Sequence, residues 1–217
     1  MREHDFEPVP GLPAPLPKDE SILWQGAPRW QTFARRAMRV RLLAGYFVLL
    51  VVWGIAGGLS AGATVADVTL SSLRLGALAV VAIALLVLFA WLVARTTLYT
   101  ITTRRVVMRF GIALPITFQI SYVMIESAGA HVWPDGSGDI SVSLMPGQRL
   151  AYLVLWPHAR PWKFAKSQPT LRGIANAEAV SQILGRALAA SASQPAKAIK
   201  IPVSDAARDG AHLPAPA

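Results

Sequence analysis

Side chains able to do covalent or acid–base chemistry are few in this chain of 217 residues, and their spacing fits no catalytic constellation. With no cysteine, a thiol nucleophile, a disulfide framework and a Cys-ligated cluster are excluded. The histidines are His4, His131, His158 and His212, and none sits at metal-ligand spacing from another. Serines occur without a Gly-x-Ser-x-Gly turn, and no glycine loop fits a phosphate cradle. His131 and Asp135 are close in sequence, but a lone histidine on a strand is more often structural than catalytic. The expectation is a protein that is not an enzyme and holds no cofactor or metal.

What the sequence does offer is recognition by cations and aromatic rings. Arg160, Trp162, Lys163, Phe164 and Lys166 lie within one short stretch, with Arg172 following. Rings interleaved with cations suit a membrane interface or a protein contact anchored on aromatics. The competing reading is a loop over the domain, its rings buried and its cations solvated. Arg104, Arg105 and Arg109 form a second basic group, expected close to the membrane. They would meet lipid headgroups, or supply the positive charge that orients membrane segments.

The elements that position these groups hang from an apolar block. The chain is uncharged from Leu42 to Ala66 and again from Leu75 to Ala94. Each run is long enough for a helix to cross a hydrocarbon core about 30 Å thick. A two-helix transmembrane hairpin, about 42–64 and 75–94 within 42–94, is the reading, with Asp67 and Arg74 in the connection. Arg29, Arg35, Arg36, Arg39 and Arg41 precede it, and Arg95, Arg104, Arg105 and Arg109 follow, with no acid among either group. The positive-inside bias then puts both termini in the cytoplasm of a multi-pass inner-membrane protein. A signal peptide does not fit, because about forty residues precede the first run. The formal charge of +9 is clustered beside the apolar runs, which favours membrane lipids over nucleic acid as its partner.

Neither apolar run contains histidine or an ionisable residue, which argues against a proton path or an imidazole-held pigment within it. Gly54, Gly58 and Gly62 recur every fourth residue in the first run, a spacing that lets helix backbones approach closely. That face serves either a partner in the membrane or, as favoured here, the second run. Self-association is left open.

Outside the block, 1–28 reads as a proline-rich arm whose residues 22–26 could add a strand to a later sheet. Residues 29–41 read as an interfacial amphipathic helix with Trp30, Phe33, Ala34, Ala37 and Met38 on one face. From 96 to 190 the pattern changes to alternation. Val106, Met108 and Phe110 share one face, as do Ile116, Phe118, Ile120 and Tyr122, and later Ile140, Val142 and Leu144. Ala151–Trp156 is apolar throughout and is expected to be a strand covered on both faces. Asn176 should cap a last helix with Val180, Ile183, Leu184, Ala187 and Leu188 in one stripe. Residues 191–217 are expected to be a disordered tail. The fold class is therefore a membrane α+β protein, a helix hairpin followed by an antiparallel barrel or sandwich closed by a C-terminal helix.

Leu98-Tyr-Thr-Ile-Thr-Thr-Arg-Arg-Val-Val-Met-Arg-Phe-Gly111, followed by alternating strands and a late helix, resembles the bacterial pleckstrin-homology-like (PH-like) domain family. With Leu23-Trp-Gln-Gly-Ala-Pro28 and His158-Ala-Arg-Pro-Trp-Lys-Phe164, the chain is similar to the PuhB family of photosynthetic complex assembly proteins of purple bacteria. The resemblance implies a PH-like fold and an assembly role for the reaction centre and light-harvesting 1. It implies reaction-centre and light-harvesting 1 subunits, or other photosynthetic assembly factors, as partners, and the intracytoplasmic photosynthetic membrane as location. The rival reading is an anionic-lipid-binding PH-like sensor unrelated to photosynthesis.

Overall fold

The apolar block folds as two helices, α2 (Val40–Ser60) and α3 (Val65–Thr96), packed side by side in the computed structural model. The structure describes residues 11, 12, 14–147, 150–161, 163 and 166–193. Both helices are long and apolar enough to cross a membrane. No residue of α2 is buried.

The connection is shorter than expected, only Ala61 to Thr64, because a cap starts α3 early. The Asp67 amide donates to Thr64 Oγ1 at 3.2 Å, and the Thr64 hydroxyl donates to Asp67 Oδ2 at 2.6 Å. The carboxylate also sits at the positive end of the helix dipole. Asp67 and Arg74 thus belong to α3, whose 32 residues span roughly 48 Å. Its last turns pass beyond a bilayer-thick segment and enter protein, where Ala90, Val93 and Ala94 are buried.

The three glycines at every fourth position take three roles. A Cβ on Gly58 would come within 2.7 Å of Val68 Cγ2, so this glycine sets the approach of the two helices. Gly62, at φ +75°, follows the last helical residues as a left-handed cap, and Gly54 faces open space.

Before α2, one turn of helix α1 (Trp30–Thr32) runs into a π-helical stretch, Phe33–Ala37. Part of its apolar face meets protein, while Trp30 is 39% exposed. Phe33 and Ala34 are buried against Ala90 and Val93 of α3, with Met38, Val40 and Phe89 at the margin. The same amphipathic stripe fits lipid or protein, and the projecting end of α3 supplies protein. Of the proline-rich arm, residues 1–10 and 13 lie outside the described residues, and Leu12 is buried.

The alternating region makes two antiparallel sheets. The first has the order β1 (Ile22–Gly26), β2 (Leu98–Thr102), β3 (Arg105–Phe110), β4 (Ile116–Ser121). The second has β5 (Ile125–Val132), β6 (Gly138–Leu144) and β7 (Thr170–Ile174). The sheets stay separate, so the unit is a sandwich rather than a closed barrel. Tyr99, Ile101, Val106, Met108 and Phe110 from one face meet Ile140, Val142, Leu171 and Ile174 from the other. Helix α5 (Ala177–Ala192) covers β5 and β6 with Val180, Leu184 and Ala187. Asn176 precedes it at φ 53° and makes no side-chain cap, so it serves by tolerating the left-handed conformation.

Ala151–Trp156 is not a strand. Tyr152–Leu155 forms one helical turn, α4, of which only Leu155 enters the core. Leu153 is 85% exposed and Trp156 50% exposed. A short apolar run carries no period, so sequence alone could not separate a doubly buried strand from an exposed apolar turn. The positions expected as a tail from 194 to 217 lie outside the described residues.

The division among the glycines has a measurable consequence. Gly58→Leu overpacks the α2–α3 contact and should cost about 1–3 kcal/mol. Gly54→Leu should leave the thermal midpoint in detergent unchanged. Equal midpoints for the two variants would contradict this packing.

Candidate functional site

The turn between β2 and β3 shows why a threonine precedes two arginines. Thr102 Oγ1 accepts from the amides of Arg104 (3.2 Å) and Arg105 (3.1 Å), which ties the turn to its own strand. The Thr102 hydroxyl lies 2.7 Å from buried Glu20 Oε1, and Arg105 grips the same carboxylate through Nε at 2.8 Å and Nη2 at 2.7 Å. Arg105 Nη1 donates to Gln119 Oε1 at 2.6 Å. This arginine, a candidate contact by sequence, is committed to an internal bidentate pair. Arg104 stays exposed, 3.6 Å from Asp19.

The strand register also separates the basic group. Arg109 faces Leu98, beside the end of α3, whereas Arg104 and Arg105 lie at the far end of the hairpin. The length of β2, roughly 14 Å, stands between them, so the three do not form one patch next to the helix hairpin. Of the other candidate stretch, Arg160 is exposed and bonds Gln168 Oε1 at 3.0 Å, and Lys163 and Lys166 are exposed. Trp162 and Phe164 lie outside the described residues.

The group that sequence reasoning missed is His158. It is fully buried, with Phe110 4.5 Å and Phe33 5.8 Å from its ring centre. Its Nδ1 lies 2.7 Å from Tyr99 Oη, and its Nε2 lies 3.3 Å from Thr97 Oγ1. Tyr99 Oη already accepts from the Arg172 amide at 3.2 Å, so the tyrosine proton points at Nδ1. The imidazole is then neutral, with its own proton on Nε2 and donated to Thr97. Burial, helped by the Arg172 charge, pushes its pKa from 6.5 down to about 3. Burial also raises the Tyr99 pKa, so the phenol keeps its proton. The only sequence signal was a histidine beside a Trp-Pro pair, which has no periodic signature.

Arg172 continues the network. Its Nη1 donates to the Pro157 carbonyl at 3.1 Å and its Nε lies 3.4 Å from Asp139 Oδ2, while Asp139 Oδ1 accepts from the Gly173 amide at 2.8 Å. On one side Arg172 borders an open cleft of about 400 Å³ shared with Arg36, Arg39, Tyr152, Trp156 and Pro161. Trp156 stacks on Phe89 of α3 at 5.7 Å, and Arg36 lies 5.1 Å over the Trp133 ring. His131 packs edge-on against Trp133 and pairs in register with Asp139, while Asp135 bonds Ser137. The suggested His131–Asp135 pair is therefore not formed. Among the described residues, no group of three or more His, Cys, Asp or Glu could hold a metal ion.

Residues 40–188, from the first residue of α2 to within α5, match the family model of the bacterial PH domain. The chain belongs to the bacterial PH domain family. In this family member the match includes the helix hairpin as well as the sandwich. An uncharacterized 23.7 kDa protein in the puhA 5′ region of Rhodobacter capsulatus is 43% identical over 199 residues, 90% of this chain and 92% of that protein. No solved structure gives a significant match.

Two predictions follow from the geometry of this PH-like sandwich. Arg105→Gln, which strips Glu20 of its partner, should lower stability by about 1–3 kcal/mol. Arg104→Gln should change it by less than about 0.5 kcal/mol. Denaturant titration compares them, and equal losses would mean that the Glu20 pair is not what holds the turn.

His158 should make stability depend on pH. Its folded pKa is depressed, so its contribution is complete above about 6.5 and is lost as pH falls towards 3. From pH 7 to 5 the wild type should lose about 2 kcal/mol more than His158→Leu. Parallel curves for the two proteins would remove His158 as the source.

Proposed function

We propose that this chain is a non-enzymatic membrane assembly factor of the PuhB type for the purple-bacterial reaction centre and light-harvesting 1 complex. The observation that carries the reading is the 43% identity, across nearly the whole length of both chains, to a protein from the puhA 5′ region. That neighbourhood supports a photosynthesis-gene context. The resemblance of Leu23–Pro28 and His158–Phe164 to the PuhB family supports the finer assignment.

In this reading α2 and α3 cross the inner membrane and both termini lie in the cytoplasm, on the side of the arginines that flank the helices. Helix α3 carries the sandwich rigidly, because its last turns are enclosed by Phe33, Ala34 and Trp156. Helix α2 keeps an outward face that none of the described residues covers, including Gly54 and Trp53. Nascent subunits contact that face laterally while the sandwich holds their cytoplasmic parts. No cofactor is needed for this work.

The test is a mild-detergent purification of the tagged protein from its native membranes during induction of pigment synthesis. Mass spectrometry should show reaction-centre or light-harvesting 1 polypeptides enriched over abundant unrelated membrane proteins. Gly54→Leu should reduce that enrichment without lowering stability. Enrichment of neither set of polypeptides would defeat the assembly reading.

A further inference from the structure

We infer that the cleft between the start of α2 and the α4 turn seats the headgroup of an anionic phospholipid. The inference rests on the proposed membrane crossing, but not on the assembly role. Three arginines, Arg36, Arg39 and Arg172, line about 400 Å³ together with Tyr152 and Trp156, with the Arg36 guanidinium resting on the Trp133 ring. A space of this size is within the range of small-molecule sites.

The charge balance of the cleft is positive. Asp139 lies against Arg172 at 3.4 Å, and Asp135 is a weaker, exposed neighbour of Arg36. Among the described residues, no carboxylate comes within ion-pair distance of Arg36 or Arg39. Arg39 is the N-cap of α2, held at φ 51° with no side-chain cap on that helix end. The positive end of a 21-residue helix therefore opens beside the same cleft.

A second feature sets the source of the anion. Trp156 stacks on Phe89, which precedes the end of α3 by roughly 10 Å along its axis. The α4 turn thus reaches back along α3 towards the apolar part of the hairpin. It carries exposed Leu153, Val154 and Trp156 with it. A soluble phosphate has no use for that apolar rim. A phospholipid needs both: cations for its phosphate and an apolar surface beneath it for its chains. The seat is separate from Arg104, which lies at the far end of the β2–β3 hairpin.

The test uses the full chain in detergent, titrated with phosphatidylglycerol or phosphatidylcholine and read by native mass spectrometry. The wild type should prefer phosphatidylglycerol, and Arg36→Gln/Arg39→Gln should weaken that preference by about tenfold or more. Arg39→Gln alone should give a smaller loss in the same direction, and Arg104→Gln should change nothing. A double variant that keeps the preference overturns the seat. Inorganic phosphate that displaces the lipid at comparable concentration overturns the lipid as its occupant. Because the chain has no cysteine, Ala63→Cys reports the crossing separately. Labelling of spheroplasts by an impermeant maleimide supports the crossing on which the seat rests. Protection from the reagent defeats the crossing, and the lipid preference then judges the cleft by itself.

Discussion

A neutral imidazole with both nitrogens satisfied is the point on which the helix hairpin and the sandwich agree. Helix α3 ends at Thr96 and β2 begins at Leu98, so a single residue, Thr97, separates the two. Thr97 and Tyr99 straddle that junction and both hold His158. Phe33 reaches the ring from the segment before α2, and Phe110 reaches it from β3. Three stretches of chain thereby meet on one side chain from a fourth. A buried polar group without a partner costs about 1–3 kcal/mol, which makes any other arrangement of these stretches unfavourable. The orientation of the sandwich on α3 follows from this contact more than from the length of the linker.

The same constraint sorts the basic residues. Arg105 and Arg172 satisfy Glu20 and Asp139, so their charge goes into the fold. Arg36 and Arg39 sit on the stretch that Phe33 anchors, which fixes them opposite Arg172 with charge to spare. A cation's sequence neighbourhood does not reveal which of these fates it meets. Register and burial do. Arg105 and Arg104 are adjacent in sequence, yet one is clamped by a buried carboxylate and the other is in solvent.

This explains what was legible from residues alone. The hairpin could be read because an uncharged run of membrane length has few alternatives, and the inward faces of β3, β4 and β6 could be read because alternation has a period. The start of α3 could not, since the Thr64–Asp67 cap overrides the polar composition that suggested a loop. The α4 turn was misread because Ala151–Trp156 has no period, and the burial of Phe33 by α3 was not legible because an amphipathic face does not say whether lipid or protein will cover it. His158 was invisible for a different reason. Its partners Thr97 and Tyr99 lie about sixty residues earlier, and only the tertiary fold brings them to it.

The two helices of the hairpin are left with unequal tasks. Protein encloses α3 at its end and Val68 meets Gly58 at its start, so α3 has little freedom to turn about its axis. Helix α2 packs along α3, most closely at Gly58, and against the Phe33–Ala37 stretch at its start, while its outward face is apolar and exposed. In a bilayer such a surface costs nothing while lipid covers it, and it exchanges lipid for another helix without breaking any contact within the chain. The proposed assembly role is served by this division: a rigid arm that carries the sandwich, beside a helix whose outer face is free to change neighbours.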